Sequence, residues 1–208
     1  MLALLKIACA KVNKKMTLIR RRRNHHNLPV TLALSWGRLN ICNLYQQTTA
    51  VEAMRGLFRG MENRAGNIEP GDVYPDRMAP IITLAGEGHI LRMARWGLPS
   101  PSGYHSKNGI DQGVTNVRNT SSPHWQRWLS PGNRCLVPLE RFAEPRSGKG
   151  AGNAWFELDE NRPAFFAGIW VPNWRSIRKL KDCETTDDLF ALGRRASKGC
   201  TGHSTCLL

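Results

Sequence analysis

The chain has 208 residues, enough for one well-cored domain with tails, and its 41% apolar content, with seven Trp and six Phe, can build an interior. No stretch approaches the ~20 uninterrupted apolar residues of a membrane-spanning helix, and six Cys without paired spacing exclude a secreted disulfide framework. The formal charge of +14 is uneven: residues 1–41 hold nine Lys/Arg and no acid, whereas residues 42–175 hold 15 basic and 12 acidic residues, so the basicity belongs mostly to the arm.

The first 41 residues contain a polybasic run, Arg20 to Arg23, and no capped amphipathic period, which predicts a disordered arm. Met1 to Ala10 is apolar but interrupted by Lys6, and the basic cluster follows it, the reverse of a secretory signal. Reduced thiols in a cytoplasm are expected. Thr49 with Glu52 has the form of a capping box, and Val51, Met54, Leu57 and Phe58 recur at helical spacing, predicting a helix over 49–58. Asn67 to Asp76 carries Pro and Gly and reads as an extended, turned segment. Met78 to Ala85 and His89 to Leu98 read as strands joined by a hairpin turn at Gly86-Glu87-Gly88. Trp125 and Trp128 fall in a helical segment after Pro123. Arg134 to Val137, Ala154 to Leu158 and Ala164 to Trp170 are further strand candidates, with a Gly/Ser loop over 147–152 between two of them. The sum is a single mixed α+β domain dominated by antiparallel β-sheet. No internal repeat and no nucleotide-binding glycine fingerprint occurs.

Four blocks stand in a fixed order: Cys42-Asn-Leu-Tyr45, Thr115-Asn-Val-Arg-Asn-Thr120, Arg134-Cys-Leu-Val-Pro-Leu-Glu-Arg-Phe-Ala-Glu144-Pro, and Ala164-Phe-Phe-Ala-Gly-Ile-Trp170. Supporting blocks are Asn67 to Asp76 and Arg95-Trp-Gly-Leu-Pro99. In that order and spacing the chain resembles the SOS response-associated peptidase family, over about 130 residues. The resemblance implies an abasic-site-processing domain over 42–192, flanked by the basic extension 1–41 and a tail, 193–208, unlike the family.

It further implies a DNA-damage-response protein that binds single-stranded DNA and captures abasic sites covalently. An N-terminal Cys offers a thiol and an α-amine to the aldehyde of the opened deoxyribose, forming a thiazolidine; the peptidase label then refers to self-processing that exposes the Cys. Cys42 maps onto that nucleophile, although a lone Cys is often a small buried apolar residue. Asn116 maps onto the residue that orients the opened sugar, with a turn-capping Asn as the plainer reading. Arg118 maps onto a phosphate contact, or is a solvated surface Arg. Glu144 maps onto the catalytic acid/base, with Glu140 nearby more exposed to solvent. Trp96 and Pro99 resemble the edge of a wedge that separates stacked bases, and core packing is an equally good reading of Trp96.

Two departures from the family pattern accompany these matches. Because 41 residues precede Cys42, its nitrogen becomes a nucleophilic amine only if the chain starts or is cleaved there. Thr186 to Phe190 still resembles the family, but the expected Ile-His block and the Met-Pro strand after it are missing, with the loss of a core strand expected. A non-catalytic nucleic-acid-binding remnant is therefore the alternative reading. The Cys200-x-x-His203-x-x-Cys206 cluster lacks a fourth ligand, so no metal site is expected. The reading requires no cofactor and no membrane, and the expected form is a monomer with abasic single-stranded DNA as its partner.

Overall fold

The computed structural model describes residues 43–47, 51–146, 148, 150–157 and 164–193. The basic arm, Cys42, Thr49 of the capping box, the end of the expected strand at Leu158 and the Cys200/His203/Cys206 cluster lie outside these residues. The described part has eleven strands and two short α-helices, which matches the expected mixed, strand-dominated class.

The strands are β1 (Leu44–Gln47), β2 (Glu62–Asn63), β3 (Gly71–Val73), β4 (Met78–Ala85), β5 (Gly88–Trp96), β6 (Asn116–Val117), β7 (Arg134–Leu139), β8 (Arg141–Pro145), β9 (Asn153–Glu157), β10 (Ala164–Ile177) and β11 (Glu184–Gly193). The helices are α1 (Val51–Leu57) and α2 (Pro123–Gln126). Strands β5, β4, β7, β10 and β11 lie side by side, and β11 then pairs in parallel with β5 through Leu189↔Arg95 and Phe190↔Trp96. This last pairing closes five strands into a barrel, in which no long edge is left open. A second sheet, in the order β3-β1-β8-β9, lies against it.

Side-chain alternation explains the interior. Ala79 and Ile81 of β4, Ala94 and Trp96 of β5, Cys135, Val137 and Leu139 of β7, Trp170 of β10 and Phe190 and Leu192 of β11 form one buried cluster, each set spaced by two along its strand. Tyr45 of β1 and Val73 of β3 join this cluster, which is how the smaller sheet is fixed to the barrel. Burying side chains of this size contributes roughly 1.5–3 kcal/mol each. Burial in this interior also pushes the Cys135 thiol well above its ordinary value.

Opposite parity gives two flanking clusters. On one, Met54 of α1 and Met61 cover Ile82 and Leu91; on the other, Trp125 and Trp128 cover Ile169, Val171, Leu189 and Ala191. The expected helix over 49–58 is thus present as α1, whose Met54 is fully buried.

One difference from the sequence expectation has a plain cause. Strand β10 does not stop at Trp170 but runs to Ile177, through a bulge between Val171 and Trp174. Pro172 cannot donate to a ladder, and Asn173 takes a positive φ of 50° with its N–H bonded to Asp188 Oδ1 at 2.9 Å, so the strand bends and continues. The family strand whose loss is expected would follow residue 193 and lies outside the described residues, while β11, which carries the Thr186 to Phe190 block, spans ten residues and closes the barrel.

Candidate active site and nucleic-acid interface

Glu144 lies on β8, half-buried, and alternation puts it on the same side of the strand as Phe142. Phe142 packs against Phe166 of the barrel with ring centroids 5.4 Å apart, so the Glu144 side of β8 is the side turned to the barrel. Glu144 pairs with Ala154 on β9. On the other flank of β8, β1 runs antiparallel with Leu44 opposite Ala143, which leads Asn43, the residue before Leu44, toward Glu144. The two residues that follow Cys42 in the chain are therefore laid alongside the strand that carries the carboxylate. Leu44, Ala143, Tyr74 and Pro75 line a shallow apolar cleft at the same end of this sheet.

Asn116 begins β6, half-buried, and its Nδ2 donates to Thr115 Oγ1 at 3.0 Å. It stands in a strand paired with β11, which replaces the turn-capping reading. The Thr115 carbonyl accepts two hydrogen bonds, from the Trp96 indole at 3.0 Å and from the Leu192 N–H at 2.9 Å. Trp96 meets Tyr45 edge-on with centroids 5.2 Å apart and stacks on Phe190 at 6.2 Å. One buried indole thus ties β1, which follows Cys42, to the backbone of the residue before Asn116. Arg118, two residues further on, is exposed.

The wedge reading of Trp96 and Pro99 is corrected. Trp96 is 0% exposed and offers no face to a base, so its core reading holds. Pro99 is buried too, and its carbonyl accepts a hydrogen bond from His124 Nε2 at 2.9 Å. The reason is parity: Trp96 shares its side of β5 with Ala94 and points inward. Glu140 is exposed.

The described histidines serve elsewhere. His89 packs on Phe58 at 4.9 Å, and burial lowers its pKa below the ordinary imidazole value. His105 Nε2 lies 3.3 Å from the Ser100 carbonyl. Among the described residues, no group of three or more His, Cys, Asp or Glu is placed to hold a metal ion, and no helix is long and apolar enough to cross a membrane.

Sequence reasoning passed over a buried ion pair that holds the segment leading to β6. Arg178 and Asp111 are 5% and 1% exposed, with Nη2 3.9 Å from Oδ2. Arg178 donates to the carbonyls of Gly97 at 2.7 Å and Asp111 at 3.2 Å and to Ser176 Oγ at 3.1 Å, while the Asp111 carboxylate accepts the N–H groups of Ser100 and Gly113. Burial pushes the Arg178 guanidinium below its usual value, and the Asp111 charge pulls it back. Gly113, at φ +75°, has to be glycine because a Cβ would stand 2.2 Å from Arg178 Nη1. No local sequence signal pairs residues 67 positions apart.

Two solved structures share the fold. A Bordetella bronchiseptica protein superposes with a TM-score of 0.55 at 19% identity, covering 73% of this chain and 71% of its own. A Bacteroides thetaiotaomicron protein does so with a TM-score of 0.52 at 20% identity, covering 73% and 67%. Among curated proteins none matches the chain. The sequence model of the SOS response associated peptidases (SRAP) matches residues 41–194, a span that contains every described residue. The chain belongs to the SOS response-associated peptidase family.

Proposed function

We propose that this protein acts in the DNA-damage response by binding single-stranded DNA and capturing abasic sites covalently through Cys42. The observation that carries the reading is the register of β1 on β8, which lays the residues following Cys42 along the strand bearing Glu144. The family match over the same region supports it.

The chemistry requires Cys42 to be the first residue, so that its α-amine, with an ordinary pKa of about 8, is partly neutral at physiological pH. The amine adds to the C1′ aldehyde of the opened sugar, and the carbinolamine loses its hydroxyl as water to give an iminium. The Cys42 thiolate then adds to the same carbon and closes a five-membered ring of sulfur, Cβ, Cα, nitrogen and C1′. Glu144 delivers the proton to the departing hydroxyl and receives one from the thiol, the task of a carboxyl whose neighbourhood is part apolar. Asn116 orients the sugar with its amide, Trp96 acts as a positioning residue through Thr115, and Arg118 takes a phosphate. Self-processing to expose Cys42 accounts for the peptidase name.

The test compares the full chain with a form beginning Met-Cys42, each incubated with single-stranded DNA carrying one abasic site. The expected result is an adduct that survives denaturation from the short form, with an intact mass equal to both components less one water. Glu144→Gln in that form should slow its appearance by about 10²–10⁴-fold. A folded short form with Met removed and no adduct would overturn the catalytic reading and leave the non-catalytic DNA-binding protein, the reading that the missing Ile-His block favours.

A further inference from the structure

From Gln112 to Leu139 the chain has no Asp or Glu, yet it carries Arg118, Arg127 and Arg134, all exposed. The fold gathers these three around one apolar cluster rather than scattering them. Arg118 follows Val117, which is in the cluster; Arg127 sits between Trp125 and Trp128 of the cluster and the partly buried Trp174; Arg134 pairs in register with Ile169, also a member. The turn after Arg118 is fixed to α2, because Gln126 Nε2 donates to the Thr120 carbonyl at 3.1 Å and Ser122 N–H to the Asn119 carbonyl at 3.2 Å. The approach to Arg134 is fixed by Asn133 Nδ2 on the Trp170 carbonyl and the Trp170 indole on the Gly132 carbonyl.

Arg127 is also pre-oriented. Its guanidinium carbon lies 3.9 Å from the centre of the Trp128 ring and 5.6 Å from that of Trp174. Stacking there holds a long side chain in one pose at the surface without using its hydrogen-bonding edge. Some exposed arginines elsewhere in the fold are neutralised, as Arg175 is by Glu184 and Arg64 by Glu62, whereas others, Arg59 and Arg77, are bridged by no carboxylate among the described residues. Among the described residues no carboxylate bridges Arg118, Arg127 or Arg134. Three solvent-facing cations around one apolar cluster, on a stretch of chain without Asp or Glu, form a track for a polyanion, and a guanidinium fork matches phosphate oxygens.

We propose that the face bearing Arg127 and Arg134 continues the single-strand path past Arg118, binding backbone phosphates of nucleotides beyond the abasic one. This rests on the reading that the protein binds single-stranded DNA. The contacts are electrostatic and independent of base identity.

The experiment measures equilibrium binding of the full chain to an abasic trinucleotide and to an abasic 15-mer across a range of salt. For the 15-mer, Arg127→Gln and Arg134→Gln should each lower the steepness of log affinity against log salt by about 0.7, and affinity about five-fold at 0.1 M salt. Neither should alter the trinucleotide, whereas Arg118→Gln should weaken both lengths. Arg127→Lys, which keeps the charge, should keep the slope; thermal melts of each variant separate lost contacts from lost folding, and Arg134→Gln does not touch the Trp128 stack. Wild-type slopes for Arg127→Gln and Arg134→Gln on the 15-mer would overturn the proposed track while leaving the DNA-binding reading intact. A wild-type chain that binds neither oligonucleotide at low salt would overturn both.

Discussion

Trp96 shows how much a single residue's meaning depends on strand parity. In the sequence it stood equally for a base-stacking platform and a core side chain, because an aromatic beside Gly97 suits either. The pairing of β5 decided it, by putting Trp96 on the side of Ala94. Gly168 is the complementary case, a residue defined by what it lacks. A Cβ there would lie 2.8 Å from Cys135 Sγ and 2.9 Å from the Ala191 carbonyl oxygen, so β7, β10 and β11 approach this closely only over a glycine. Gly168→Ala should therefore destabilise the fold by about 1–3 kcal/mol, the usual effect of overpacking. The check is urea unfolding: a lower midpoint with unchanged slope is expected, and an unchanged midpoint would show that the strands yield without loss.

Among the elements, those legible in the sequence were the ones with strong local signals. The β4–β5 hairpin has alternation and a Gly-Glu-Gly turn, and α1 has helical spacing. β1 and β8 escaped because Leu-Tyr-Gln-Gln and Arg-Phe-Ala-Glu-Pro show little apolar alternation; each becomes a strand by pairing with the other and packing Tyr45 and Phe142 on the barrel. The candidate site was legible only as an order of blocks. That Glu144 lies beside the strand following Cys42, and that Trp96 ties that strand to Thr115, are results of pairing between distant segments. The segment from Gly97 to Gly113, which delivers β6 and hence Asn116 and Arg118, depends in the same way on Arg178. Arg178→Met would leave Asp111 as a buried charge without its cation, at a cost of about 3–5 kcal/mol. Hydrogen exchange should then speed up first at the amides of residues 97–114, including Ser100 and Gly113, which bond to Asp111. Exchange that speeds up evenly over all strands, with none ahead, would mean that the pair stabilises the fold as a whole without holding this segment.

At the scale of the molecule, the antiparallel weighting could be read from the sequence, but closure of the barrel could not. The closing pairing joins Leu189 to Arg95 and Phe190 to Trp96, is parallel, and engages two residue pairs, so no hairpin turn or local period announces it. Its effect is nevertheless global, because β11 pairs with β10 over most of its length and places Phe190 and Leu192 in the interior. Without β11 one long side of β10, from Gly168 to Ile177, loses its ladder partner, and the stack of Phe190 on Trp96 disappears. Trp96 in turn holds the Thr115 carbonyl, so the candidate site would loosen with the barrel. Begun at Met-Cys42, a chain ended after Gly193 should keep a cooperative thermal transition, its near-ultraviolet circular dichroism and the adduct with abasic DNA, whereas one ended after Cys183 should lose all three and bind a hydrophobic dye. If the shorter chain unfolds as cooperatively as the longer, the barrel does not depend on β11, and the site geometry does not depend on barrel closure.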